Sequence, residues 1–418
     1  MTKDGKIELM APAGNFESMQ AALDNGCDSI YFGVEQLNMR ARASINFEMK
    51  DLPEISRRCK EKGVRTYLTL NTIIYDHDLT IIKTLLQKAK ESEITAVIAM
   101  DQAVIMVARS IGVEVHISTQ INITNIETAK FYAMFADTIV LSRELSLRQV
   151  KKIYEQIEKE QIKGPSGNLI EIEIFGHGAL CMAVSGKCYM SLHAFNSSAN
   201  RGACKQNCRK PYKVIDQETG FEMEIDNEYI MSPQDLCTID FLDKIKDAGV
   251  KVLKLEGRGR APEYVAKVVK SYREAIDSLE DGTYSKEKVA GWMSELEKVY
   301  NRGFWSGYYL GQKLGAWSDG PGSQATQKKV YIAKGMHFYP KALIGEFKME
   351  AYDLKVGDTI LITGPTTGSQ ELVVEEMFVN DQKGDKATKG DLITIKFPFR
   401  IRPSDKLYKI VENKPELN

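Results

Sequence analysis

Four cysteines fall close together in this chain, at the spacing Cys181-x6-Cys188-x15-Cys204-x3-Cys208. Thiolates are soft ligands, and four of them can hold a zinc ion or an iron–sulfur cluster. Structural zinc usually takes paired C-x2-C knuckles. The chain has none, so the spacing favours a cluster, with buried free thiols or two reactive cysteines beside two bystanders as the alternatives. Gly178, Gly186 and Gly202 suit a backbone that folds tightly around a ligand. The remaining cysteines read differently. Cys27 and Cys59 sit singly in helical stretches as small apolar packing residues, and Cys237, in MSPQDLC, reads as packed at the start of a helix.

The elements that must position these groups follow from the apolar pattern. Short continuous apolar runs occur at 7–11, 29–34, 64–70, 96–100, 113–118, 138–142, 170–175 and 251–256. Amphipathic helical patterns such as LTIIKTLLQKAKES and SLRQVKKIYEQIEKEQ lie between most of them. Strands that alternate with helices imply a parallel sheet, and eight of them fit an α/β fold of the TIM-like (β/α)8 barrel kind. The active site of such a barrel belongs at the C-terminal ends of its strands. Polar residues stand there: Asn15, Asn38, Arg40, Arg42, Asn71, Asp101, Gln120, Arg143, Glu144, His177, Glu256 and Arg258. Each alone reads as a cap or turn residue; together they would ring one mouth.

The expected barrel spans 1–300. Its seventh strand is followed by a cysteine-rich insertion at 176–235, far longer than the usual βα loop and on the face where long insertions are functional. The insertion ends in a predicted hairpin, PYKVIDQETGFEMEIDNEYIM, and a helical pattern at 236–249 leads into the eighth strand. Residues 301–328 carry six glycines from Gly303 to Gly322 and read as a linker that packs in part through Phe304, Trp305, Tyr308 and Trp317. From 329 to 418 the pattern becomes strands with tight turns, as in a small β-barrel.

Composition narrows the function classes. A hydrophobic fraction of 43% and a charged fraction of 27% are those of a soluble globular protein. The formal net charge of −1 argues against a polyanion binder that works by bulk charge. MTKDGKIEL has no signal-peptide core and no later segment could span a bilayer, so a cytoplasmic setting without membrane partners is expected. Local charge points elsewhere. The stretch RGACKQNCRKPYK (201–213) has five basic residues and no acidic one, and Arg258, Arg260, Lys267, Lys270 and Arg273 follow. Such groups could hold RNA phosphates while Tyr189, Phe195 or Tyr212 stacks on an unpaired base, or they could simply be a solvated shell around anionic thiolates.

The run Glu173, Phe175, Gly178-Ala179-Leu180-Cys181, Gly186, Cys188, Met190-Ser191 resembles the signature of the collagenase-like peptidase family U32. ELMAPAGN (8–15), NMRARA (38–43), HISTQ (116–120), KLEGRGRAPEYV (254–265) and NRGFWSGY (301–308) resemble its other blocks, so the likeness covers essentially the whole chain. It implies a C-terminal β-barrel similar to those of translation factors. The family name implies proteolysis, but neither HExxH nor GxSxG is present, and a Cys181–His177 pair would leave most of the cysteines without a role. Other members resemble RNA hydroxylases that use an iron–sulfur cluster, and the most similar subgroup makes 5-hydroxyuridine at the wobble position of tRNA.

The resemblance therefore implies tRNA as partner, a 4Fe-4S cluster on Cys181, Cys188, Cys204 and Cys208, and prephenate as a small carboxylate donor. His177, Glu256 and Arg258 are the expected catalytic residues. Asn38, Arg40, Arg42, Gln120 and Arg143 are expected to bind substrate. A collagenase-like peptidase and an RNA-binding factor with a structural cluster are the rival readings.

Overall fold

The apolar runs become strands because both their faces are covered. The computed structural model describes residues 6–35, 37–41, 46–223, 231–320 and 322–413. The barrel strands are β1 (Glu8–Ala13), β2 (Ser29–Phe32), β3 (Arg65–Leu70), β4 (Ala96–Ala99), β5 (Glu114–Ile117), β6 (Thr138–Val140), β7 (Glu171–Gly178) and β8 (Val252–Leu255). Each pairs in parallel with the next, and β8 pairs with both β7 and β1, which closes the barrel. Alternate residues take opposite faces. Met10, Tyr31, Tyr67, Ile98 and Val252 fill the interior, whereas Leu9, Ile30, Phe32, Leu68, Val97 and Leu253 join the outer core under the helices. The helix Leu147–Glu160 shows how that outer layer forms. It starts on a Ser146/Gln149 capping box and buries Leu147, Val150, Ile153 and Ile157 at helical spacing. No helix among the described residues is long and apolar enough to cross a membrane.

Below the mouth the interior is charged but paired. Lys254 Nζ lies 2.8 Å from Glu173 Oε1, and Tyr67 donates to Glu8 Oε1 at 3.0 Å. All four of these residues are buried, so each ion meets a partner in place of water.

The insertion departs from expectation in one place. The helix expected from residue 236 begins only at Leu242, and Asp235–Cys237 is a short strand instead. It lies antiparallel to the end of β7, with Leu236 opposite Gly178 and Cys237 opposite His177. The reason is an exposed edge. β6 pairs with β7 only as far as Glu173, so the rest of β7 would present unpaired backbone groups without this strand. Cys237 is therefore buried in a sheet rather than at a helix start. The expected hairpin forms between Val214–Ile215 and Glu222–Met223.

Residues after 300 pack on the barrel. Phe304–Trp305 pairs in parallel beside the Asp235–Cys237 strand, Arg302 pairs with Asp235 at 3.2 Å, and the buried Tyr309 donates to the Phe175 carbonyl at 2.9 Å. The C-terminal unit is an eight-stranded antiparallel sheet organised on the long strand Gln327–Tyr339. It has its own core of Ile332, Phe347, Met349, Ile360, Ile393, Phe397 and Leu407. Ion pairs Lys267–Glu371 (3.0 Å) and Lys329–Glu263 (2.9 Å) join it to the barrel.

Candidate active site at the barrel mouth

Glu256 follows β8 directly and, two residues beyond the interior Lys254, points into the barrel. Arg40, from the loop after β2, reaches it with Nη2 2.9 Å from Oε1. The Tyr31 hydroxyl lies 2.9 Å from Glu256 Oε2 and 2.9 Å from the Leu255 carbonyl. Burial pushes the Glu256 carboxyl up, but Arg40, Arg143, Arg258 and the Tyr31 hydrogen bond outweigh it and bring it to about 2.

Arg258 lies deeper. It is 5% exposed, and its Nη1 donates to Thr69 Oγ1 at 2.8 Å while Nη2 donates to Asn38 Oδ1 at 3.0 Å. Burial lowers its guanidinium to about 10, which leaves it cationic at neutral pH. Asn38 Oδ1 also accepts the Arg40 backbone N–H at 3.0 Å, so one amide sets both arginines. These side chains cross over Gly33, where an added Cβ would lie 2.4 Å from Arg258 Nη1. Arg143 packs over the Phe175 ring at 3.9 Å and donates to the Ala179 carbonyl at 3.4 Å, at the base of the insertion. Three guanidinium groups thus face one carboxylate, a net charge of +2 (3 − 1).

The other expected mouth residues divide. Asn71 Nδ2 donates to Gln120 Oε1 at 3.3 Å, and its Oδ1 accepts the Met39 N–H at 3.2 Å, which places both side chains beside the Arg40 loop. Asn15 and Asp101 are helix caps, accepting from Ser18 and Ala103. Glu144 accepts from Ser142. Arg42 lies outside the described residues.

His177 is not brought to the mouth. The β7–β8 register shifts between Lys254 and Leu255, so Phe175 faces Lys254 while His177 faces Leu255. The extra residue, Gly176, is a β-bulge that turns His177 to the outer face. There it packs among Tyr264, Tyr272 and Phe304, with Nδ1 3.4 Å from the Tyr272 hydroxyl. Burial, helped by Arg260, drops its pKa to about 3, so the imidazole is neutral. Its strand neighbour Cys237 is pushed by burial up to about 12.

The cysteine-rich insertion roofs the mouth. Arg201 donates to the Ile73 carbonyl at 2.7 Å and pairs with Asp78 at 2.6 Å, and Asn122 donates to the Ser185 carbonyl at 3.1 Å. Gly202, at φ +76°, passes so near the β2 loop that a Cβ there would lie 2.2 Å from the Asn38 carbonyl oxygen. Arg209 ties the insertion's other end to Pro233 at 2.8 Å.

All four cysteines are free thiols, Cys181 exposed and the others half-buried. Burial raises Cys208, Arg209 lowers it, and charge on Cys181, Cys204 and Cys188 raises it further, so these thiols share one neighbourhood. Cys204 also contributes to the field on Arg40, which links that neighbourhood to the mouth. Its sulfur accepts the Gln206 N–H at 3.4 Å and lies 4.0 Å from the Ser191 hydroxyl. Among the described residues, no three or more His, Cys, Asp or Glu side chains are arranged to hold a single metal ion. Around the thiols Lys187, Tyr189, Phe195, Lys205 and Lys210 are exposed.

Sequence reasoning missed Tyr31 and Thr69. Their signal was present, since a polar residue at an inward position near a strand's C-terminal end is poised over the mouth.

A model described as peptidase family U32 matches residues 14–319. A Porphyromonas gingivalis protein named collagenase is 52% identical over 96% of this chain and 97% of its own length. The tRNA hydroxylation protein P1 of Bacillus subtilis is 29% identical over 97% of this chain and 95% of its own. A 23S rRNA 5-hydroxycytidine synthase of Escherichia coli is 31% identical over 74% of this chain and 46% of its own.

Proposed function

This chain belongs to peptidase family U32, and from that membership we propose that it hydroxylates RNA, converting the wobble uridine of tRNA to 5-hydroxyuridine. The observation that carries the reading is the cationic mouth roofed by a thiol-bearing insertion. Replacing C5–H by C5–OH takes two electrons from the base, so the oxygen donor must also be the oxidant. The proposed donor is prephenate, a dicarboxylate, whose C–OH bond would break as the base C–O bond forms, with the two electrons and the C5 hydrogen passing to the donor carbon (base–H + R–OH → base–OH + R–H).

The residues present suit that donor. Arg40, Arg143 and Arg258 exceed the single charge of Glu256, and guanidinium forks bind carboxylates through paired hydrogen bonds. An incoming carboxylate would compete with Glu256 for Arg40, while Arg258 stays fixed by Asn38 and Thr69. Cys181, Cys188, Cys204 and Cys208 would hold an iron–sulfur cluster, which when bound supplies electron transfer. Four cysteines give one thiolate to each iron of a 4Fe-4S cluster, and they would equally complete one tetrahedral zinc, so the metal content decides between the two. The exposed Tyr189 and Phe195, with Lys187, Lys205 and Lys210 nearby, would receive the RNA.

Peptidase activity is the second reading, favoured by the 52% identical protein named collagenase. The chemistry of this chain weighs against it. A Cys181–His177 nucleophile needs a proton-accepting imidazole beside the thiol, but His177 is buried on the outer face of β7, packed among Tyr264, Tyr272 and Phe304, and its imidazole is lowered to about 3. Two measurements separate the readings: hydrolysis of gelatin by the purified chain, and nucleoside composition of tRNA from cells lacking it. The proposal expects no hydrolysis and loss of 5-hydroxyuridine. Gelatin cleavage abolished by Cys181→Ser, with tRNA unchanged, would replace it by the peptidase.

A further inference from the structure

A cavity lies in the cleft between the barrel and the C-terminal sheet, with a volume of about 350 Å³. Five cations line it (Arg260, Lys267, Lys298, Lys328 and Lys329) against two carboxylates, Glu263 and Glu371, an excess of three (5 − 2). The carboxylates are already held, Glu263 by Lys329 at 2.9 Å and Glu371 by Lys267 at 3.0 Å. Lys298 pairs with Glu295. Arg260 and Lys328 have no ion-pair partner among the described residues. Arg260 instead packs over the Tyr300 ring, 3.5 Å from its centroid, which backs one side of the guanidinium and leaves its N–H groups for a ligand.

The cleft adjoins the mouth. Arg258 lies in the mouth and Arg260, two residues on, in the cleft. Tyr264 forms the wall between them, its ring lining the cleft and its hydroxyl donating to the Glu256 carbonyl at 2.9 Å. The rest of the basic run does not contribute equally, since Arg273 is paired with Asp28 and Asp277.

We infer that this cleft binds a phosphodiester of the substrate RNA, on the strand continuing from the base held at the mouth. The inference rests on the RNA-hydroxylase reading. It gives the junction of the two units a role, because one phosphate would touch Arg260 of the barrel and Lys328 of the C-terminal unit together.

The test is tRNA binding by the full chain, followed by fluorescence anisotropy across a KCl series. Wild type is compared with Arg260→Gln, Lys328→Gln and the double variant, each checked for wild-type melting temperature. Lys328 is exposed, so its variant keeps the test readable if Arg260→Gln misfolds. Each substitution should reduce the slope of log affinity against log salt by about 0.7–0.9. If wild type binds tRNA and the double variant keeps its slope, the cleft is excluded while the RNA reading stands. If wild type binds no tRNA, both fall. A rise in melting temperature with inorganic phosphate that the double variant loses, at unchanged tRNA slope, would make this a small-anion site and overturn the inference.

Discussion

Arg40 Nη2 and Glu256 Oε1 lie 2.9 Å apart, joining the loop after β2 to the end of β8. β1 runs between those two strands, so the contact bridges three neighbours at the point where the barrel closes. The pair is partly accessible, with side chains 30% and 14% exposed, so its attraction is screened and its partners can be exchanged for a ligand. Arg258 has no such freedom. Arg40→Ala should abolish hydroxylation at a stability cost of about 1 kcal/mol. Arg258→Ala should also abolish it but cost about 3 kcal/mol, because Asn38 and Thr69 lose a buried charged donor. Urea unfolding and a hydroxyuridine assay on the same two variants check the contrast; wild-type hydroxyuridine in both would remove these arginines from the site.

Glu256 should leave a signature in acid. Its carboxyl is lowered from 4.5 to about 2, so its stabilising effect is full above about pH 4.5 and is lost as pH falls towards 2. The shift corresponds to about 3 kcal/mol. Glu256→Gln should flatten stability against pH in that window, and an unchanged acid limb would mean that the guanidinium field on this carboxyl is weaker than the geometry implies.

His177 should matter for stability and not for chemistry. Its imidazole is lowered from 6.5 to about 3, so protonation favours the unfolded chain and stability declines as pH drops below 6.5. Between about pH 7 and about pH 5 this one group should remove about 2 kcal/mol. His177→Phe, which keeps the aromatic packing, should remove that slope and retain activity. Loss of activity in a well-folded His177→Phe protein would return the residue to the mechanism.

Gly202→Ala tests the roof. The position needs φ +76°, and a Cβ would lie 2.2 Å from the Asn38 carbonyl oxygen, so the insertion must lift off the β2 loop. The barrel should keep its circular dichroism while the insertion becomes open to limited proteolysis and hydroxylation falls at least tenfold. Wild-type protease resistance and activity would show that the insertion seats without this contact.

The eight strands were legible because each is a short apolar run buried on both faces, and Glu256 and Arg258 could be placed at the mouth from the end of the eighth. His177 could not. One bulge residue, Gly176, reverses which face it takes, and strand periodicity carries no sign of a bulge. The strand Asp235–Cys237 was also hidden, since it exists to cover an edge created by the shortness of β6, a tertiary cause absent from its own residues. Tyr31 was readable by parity, one position from the outward Ile30 and Phe32.

The most direct test combines thiols and mouth in one assay: mass analysis of tRNA nucleosides from a strain lacking this chain, complemented with wild type, Cys208→Ser or Arg40→Ala. The proposal predicts that wild type alone restores 5-hydroxyuridine. Anaerobically purified wild type should carry about four iron atoms per chain, Arg40→Ala should keep them, and Cys208→Ser should lose most of them. Restoration of 5-hydroxyuridine by Cys208→Ser, or its persistence in the uncomplemented strain, would contradict the account.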